Sequence, residues 1–207
     1  MEAPDGFSPH KRAQILRGAG DVFAADGYEG ASMARIATVA AVSKGTLYNY
    51  FPSKSALFEA FVVEECSAKL AHIFDNADHD GEPSVVLRGI YQRMMQMVLS
   101  PVGRTIYRVV IAEAFKFPAL AQGFFEAGPA RALAVMADWL AEATRRGRLK
   151  VEDPRFAAEQ FFSMSQTVLV LRLRLGLIDE PPPGEIDRIV DAAVTMFLNT
   201  YAPGIDE

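Results

Sequence analysis

The residues best equipped for chemistry lie in one short stretch, Ser43-Lys44-Gly45-Thr46-Leu47-Tyr48-Asn49-Tyr50. An ammonium, an amide, two small hydroxyls and two phenols share it with a single core-type residue, Leu47. Such groups recognise rather than cut: they donate and accept hydrogen bonds and offer flat rings. Gly45 leaves the backbone free to approach a partner closely. Thr46 adds a hydroxyl and a methyl group that can meet a thymine methyl. The base edges and phosphates of duplex DNA suit this set best.

The elements that must position these residues can be read on either side. Ser32 is an N-cap candidate for a helix with Ile36, Ala37 and Ala40 on one face. Ala41-Val42 is a turn, Ser43 caps a second helix over 44–50, and Pro52 ends it by excluding the residue before it from helix. Ser53 then caps a third. Two short helices joined by a tight turn form a helix-turn-helix. Helices this short are not stable by propensity, so they are expected to be held by neighbours and displayed to a major groove.

Thr46-Leu47-Tyr48-Asn49-Tyr50-Phe51-Pro52-Ser53-Lys54, preceded by Phe23, Gly27-Tyr28 and Ser32-Met33-Ala34-Arg35-Ile36-Ala37, resembles the TetR family of bacterial one-component regulators. The likeness covers roughly residues 10–58. It implies phosphate contacts from Tyr48, Tyr50 and Lys54, and base contacts from Lys44, Gly45, Thr46 and Asn49. Ser32 and Ser43 can add hydroxyl or helix N-terminal contacts to phosphate. Ala41 departs from the pattern, which usually has glycine in the turn, and alanine tolerates a left-handed backbone poorly. The stretch 108–176, with Glu113-Ala114, Phe117-Pro118-Ala119-Leu120-Ala121, Gly147-Arg148-Leu149 and Ala157-Ala158-Glu159-Gln160-Phe161, resembles the effector domain of the AefR-like/AcrR-like branch.

A net charge of −5 over 207 residues looks wrong for a nucleic-acid binder until it is divided. Residues 8–56 hold six Lys or Arg against three carboxylates, a net +3, which leaves −8 elsewhere. A small basic reading head on an acidic body fits, because phosphates respond to the local field. Half the residues are hydrophobic, so the chain is globular. No apolar run reaches membrane-spanning length, and charge and proline stand where an export signal needs an apolar segment. With a single cysteine, Cys66, read as a buried inert thiol, these features point to the cytoplasm.

The remaining chain reads as helices throughout. A tail over 1–7 precedes a helix from Ser8 or Pro9 to Asp26, stopped by Gly27. Others run from Ser53 to about Asn76, from Pro83 to Leu99, from Arg104 to Phe115, from Pro118 to Glu126, and from Gly128-Pro129 to Arg146. A strongly apolar helix follows over 153–175, and the last runs from about Glu185 to Tyr201. The expected fold is all-α, about nine to ten helices, with a three-helix DNA-binding domain over 8–54 and an effector-binding and dimerisation domain over 55–207.

In that second domain, Tyr91, Met94, Met95, Val98, Tyr107, Ile111, Phe115, Phe125, Trp139 and Phe162 form a methionine- and aromatic-rich set. It reads either as plain core or as an adaptable cavity for a small apolar or aromatic effector. Arg108 and Glu113 are either an ion pair or polar anchors of that cavity. The last two helices are apolar on more than one side and are expected to build a homodimer through Phe161, Val168, Leu169, Arg172, Ile189, Val190, Val194 and Phe197. Two-fold symmetry would match a palindromic operator. No cofactor and no metal is expected, since His72 and His79 lack partner ligands. Nothing resembles a nucleophile elbow, a phosphate loop or a dinucleotide fingerprint, so an enzyme is not expected. A homodimeric repressor is the leading reading. A helical lipid carrier, an activator or a nucleoid-associated protein are the alternatives.

Overall fold

Four serines decide where the first four helices begin. In the computed structural model, which describes residues 8–75 and 80–203, Ser8 Oγ accepts from Lys11 N at 3.4 Å and opens α1 (Pro9–Gly30). Ser32 Oγ accepts from Arg35 N at 3.2 Å and opens α2 (Met33–Val39). Ser43 Oγ accepts from Thr46 N at 2.9 Å and opens α3 (Lys44–Tyr50). Ser53 Oγ accepts from Ala56 N at 3.1 Å and opens α4 (Lys54–Asp75). Each cap satisfies a donor that the first helical turn leaves without a backbone partner. The expected tail over 1–7, the helix end at Asn76, and His79 lie outside the described residues.

The other elements are α5 (Pro83–Leu99), α6 (Pro101–Glu113), α7 (Pro118–Phe125), a π turn over Glu126–Ala130, α8 (Arg131–Arg145), α9 (Pro154–Ser163), α10 (Val168–Arg174) and α11 (Glu185–Tyr201). The chain is all helical among the described residues, as the sequence predicts. Three boundaries differ from expectation. The apolar stretch 153–175 is two helices, because Ser165 Oγ donates to Phe162 O at 2.7 Å and Thr167 caps α10. Short hydroxyl side chains of this kind offer the backbone an alternative to helix. Gly128-Pro129 sits inside the π turn instead of opening a helix, a wide turn that tolerates the missing N–H of proline. The sixth helix begins at Pro101, ahead of the expected Arg104, and ends at Glu113.

Two compact units divide the chain. The first takes residues up to Cys66 together with 101–125. Its core gathers Leu16, Phe23 and Ile15 of α1, Ile36 and Ala37 of α2, Leu47 of α3, Leu57, Phe58 and Phe61 of α4, and Ile106 and Val110 of α6. Phe58 is edge-on to Phe23 and to Tyr28, each with centroids 4.9 Å apart. Cys66 is partly buried against this core, and burial pushes its thiol up to about 11, with Glu65 adding to the shift. That matches the inert thiol expected of it.

The second unit takes 67–100 and residues from Glu126 on. Within it α5 packs on α11 and α8 on α9. Its core includes Leu87, Ile90, Tyr91 and Met95 of α5, Met136, Trp139 and Leu140 of α8, Phe161 of α9, and Val190 and Phe197 of α11. Lys150 N donates to Tyr201 O at 2.7 Å, tying the segment after α8 to the end of α11. Among the described residues, no helix is long and apolar enough to cross a membrane, and no group of three potential ligands could hold a metal.

One close approach sets the geometry of the first unit. Gly18, buried in α1, faces the end of α2, and a Cβ built there would lie 2.8 Å from the Cα, Cβ and N of Ala40. Gln14, one turn earlier, donates from Nε2 to Ala40 O at 2.7 Å. Gly18→Ala should therefore push α2 off α1 and destabilise the unit by about 1–3 kcal/mol, read from the urea midpoint. An unchanged midpoint would show that the contact is slack.

Candidate nucleic-acid interface

The turn between α2 and α3 is left-handed at Ala41, with φ 51°, the only positive φ outside glycine among the described residues. The departure noted in the sequence thus keeps the backbone shape that glycine would take without cost. Leu47 is fully buried and anchors α3, while Lys44, Gly45, Tyr48 and Asn49 face solvent on the same short helix. The side chains of Lys44, Tyr48 and Asn49 make no hydrogen bond or ion pair with any described residue. Nothing stands beyond ordinary packing within 4 Å of where a Gly45 Cβ would sit, the nearest atom being Ser43 Oγ at 3.8 Å. Ser43 and Thr46 hydroxyls pair at 2.8 Å, so both are held at the helix start. Ser32 is exposed at the start of α2.

Two expected contact residues are already engaged. Tyr50 is half-buried, and its hydroxyl accepts from Ser8 N at 2.7 Å and donates to Ser8 O at 3.4 Å. It ties the start of α1 to the end of α3. Lys54 donates from Nζ to the carbonyls of Tyr28, Glu29 and Ala31 at 2.7, 3.3 and 3.2 Å, and lies 4.5 Å from the centroid of the Tyr28 ring. An ammonium has three hydrogens, and here all three are used. They close the carbonyls left open after the break in α1 at Gly27, φ 70°. Burial holds the Tyr28 phenol above its ordinary range, with Glu113 and then Glu29 adding to the effect.

Other supports were not singled out in the sequence. Arg35 clasps Asp26, with Nη2 to Oδ1 at 3.3 Å and Nε to Oδ2 closer still. Arg12 pairs with Glu64 at 3.3 Å and lies 5.8 Å from the Phe51 centroid. Neither pairing has a sequence signal, because the partners lie 9 and 52 residues apart. Gln14 likewise carries no motif.

The residues named for an effector cavity are divided between the two units. Tyr91, Met95 and Trp139 are buried in the core of the second unit, with Met94, Val98 and Phe162 half-buried against it. Tyr107, Arg108, Ile111, Glu113, Phe115 and Phe125 belong to the first unit, where Ile111, Phe115 and Phe125 are 58%, 98% and 50% exposed. Glu113 pairs with Lys116 at 3.5 Å, which replaces the suggested pair with Arg108. Of the residues named for dimer contact, Phe161, Leu169, Ile189, Val190, Val194 and Phe197 are buried in their own unit. They lie on the faces of α9, α10 and α11 that pack within the chain. Val168 and Arg172 are exposed, as are Leu171, Leu175 and Met196.

The engaged ammonium gives a direct test. Lys54→Met should lower the unfolding free energy by about 1–2 kcal/mol by removing charge-assisted bonds to three carbonyls, with Lys54→Arg keeping part of it. A Lys54→Met protein as stable as its parent in urea would mean that those bonds carry no weight.

Comparison with known proteins matches the chain in two successive segments. Residues 15–61 match the family model for bacterial regulatory proteins of the tetR family, and residues 85–203 match that for the C-terminal domain of AefR-like transcriptional repressors. The HTH-type transcriptional regulator UidR of Escherichia coli K12 is 40% identical over 60 residues, which are 29% of this chain and 31% of UidR. The match therefore spans under a third of that relative. Similarity to solved structures is broader. A TetR-family regulator from Mesorhizobium loti superposes with TM-score 0.83 at 27% identity, over 96% of this chain and 100% of that one. The flavonoid-responsive regulator FrrA superposes with TM-score 0.73 at 32% identity, over 95% of this chain and 99% of FrrA. The chain belongs to the TetR family of transcriptional regulators.

Proposed function

We propose that the protein is a homodimeric repressor that binds a palindromic operator through α2 and α3 and leaves it when a small, largely apolar effector binds. The observation that carries this reading is the outward face of α3. Lys44, Gly45, Tyr48 and Asn49 are exposed there while Leu47 is fully buried beneath them. A rigidly held helix with an unengaged polar face suits the major groove, where an ammonium reads guanine and an amide reads adenine. Ser32, Ser43, Thr46 and Tyr48 would position the duplex through phosphates. Tyr50 and Lys54 would join them by exchanging their present partners for phosphate oxygens. The functional division falls between a DNA-binding part, 8–54, and an effector and dimer part, 55–207.

Effector response is supported by the likeness to FrrA, a flavonoid-responsive regulator, over nearly the whole of both chains. A helical lipid carrier would have no use for the α3 face. Dimerisation is supported by apolar side chains left exposed at the end of the second unit: Val168 at 73%, Leu171 at 55%, Leu175 at 63% and Met196 at 61%. Val168, Leu171 and the C-cap Leu175 recur at helical spacing along one side of α10, and a continuous apolar face left in solvent marks an interaction site. The cytoplasm follows as the place where such a regulator meets DNA.

Lys44→Ala should weaken binding to a selected operator by about 1–3 kcal/mol and relax base preference at one position of each half-site. Mobility shift on duplexes recovered from random-sequence selection measures it. An α3 variant that binds the operator like its parent would sink the assignment. The parent should sediment as a dimer at micromolar concentration. Leu171→Glu should shift it toward monomer and reduce operator affinity in parallel, whereas a monomeric parent with full operator affinity would remove the dimer from the proposal.

A further inference from the structure

The core of the second unit contains a hydroxyl with nothing to bond. Tyr91, on the inner face of α5, is fully buried, its ring edge-on to Phe161 with centroids 4.9 Å apart. Its phenolic oxygen is shielded from solvent and has no hydrogen-bond partner among the described residues. Buried polar atoms are nearly always paired, and leaving one unpaired is costly. Phenylalanine would fill the same space without that cost, so packing does not account for the oxygen.

We infer that the Tyr91 hydroxyl is the polar anchor of the effector site, and that the effector is an uncharged, mostly apolar or aromatic molecule with one hydroxyl or carbonyl oxygen. This deepens the proposed effector response and rests on it. The surroundings set the chemical class. Ser165 is the one polar residue among the buried set, and its Oγ already donates to Phe162 O and accepts from Gln166 Nε2 at 3.1 Å. Among the described residues no charged residue of this core is buried as a whole, and the one charged side chain of the unit with a shielded nitrogen, Arg148, donates from Nη1 to Gly81 O at 2.9 Å, so a carboxylate or ammonium would enter beside Tyr91 at high cost. A single oxygen meets the single unmet need. Room comes from Met94, Met95 and Val98, which follow Tyr91 along the same face at helical spacing. Met94 and Val98 are only half-buried, and an unbranched thioether rotates aside at little cost. Rotation of Met94, at the margin of this core, would make the space the effector needs.

Full-length parent and Tyr91→Phe test it, with 2-naphthol, 2-methylnaphthalene and 2-naphthoate as probes in thermal unfolding and equilibrium dialysis. Without probe, Tyr91→Phe should melt higher than the parent by about 2–8 °C, because the unpaired oxygen is gone. The parent should bind 2-naphthol about tenfold more tightly than 2-methylnaphthalene and should reject 2-naphthoate. In Tyr91→Phe that preference should collapse to near equality. A variant that melts no higher than the parent, a preference that survives the substitution, or no binding of any probe would each overturn the assignment. Operator retention separates the two readings. Binding of 2-naphthol that depends on Tyr91 but leaves operator affinity unchanged would defeat effector-driven release and leave the Tyr91 site standing.

Discussion

Two seven-residue helices keep their shape here only because a shared core holds them. Ile36 and Ala37 of α2 and Leu47 of α3 are almost completely removed from water against α1 and α4. A helix of that length is marginal by itself. The contact is close as well as apolar, since Gly18 brings the α1 backbone against Ala40 and Gln14 fixes the Ala40 carbonyl. The left-handed Ala41 follows from the same constraint: with α2 and α3 each pinned, the turn between them adopts the one backbone shape that fits. Everything exposed on α3 inherits its position from that arrangement.

Much of this was legible in the sequence because it is local. Ser32, Ser43 and Ser53 are cap residues at fixed offsets from an apolar pattern, and Pro52 and Gly27 punctuate it. What remained hidden is what depends on partners far along the chain. Periodicity gives the apolar faces of 154–175 and 185–201 but not which of them meets its own chain. Ile189, Val190 and Phe197 therefore read as interface although they are core. The break at 164–167 was masked by the apolar residues on both sides, and only the Ser165 and Thr167 hydroxyls reveal it. Lys54 shows the same limit. Its place in the motif implies a phosphate contact, whereas its three carbonyl partners belong to the end of another helix.

The two cores differ in how they treat polar atoms. In the first unit Arg104 Nε is shielded with no hydrogen bond among the described residues, while Gln14 bonds Ala40, Tyr50 bonds Ser8 and Lys54 bonds the end of α1. Such satisfaction gives a scaffold one preferred arrangement. The second unit has an apolar interior rich in methionine, with Met95 and Met136 fully buried and Met94, Met97 and Met164 at its margin. Side chains of this kind fill irregular space and can refill it differently.

The ion pairs around the reading head bear on how a duplex would feel its charge. Of the six cations between residues 8 and 56, Arg12 lies on Glu64, Arg35 on Asp26, and Lys54 on backbone carbonyls. A cation that stays on its own carboxylate neutralises no phosphate and sets free none of the small ions condensed along the double helix. The number of counterions set free sets how steeply affinity falls with salt, about 0.9 per neutralised phosphate. With two of its six positive groups held on carboxylates, Arg12 and Arg35, each head would release fewer of them than its cation count implies. Its grip on DNA would depend less on ionic strength than its composition suggests, leaving a larger share of the affinity to the groove-facing side of α3.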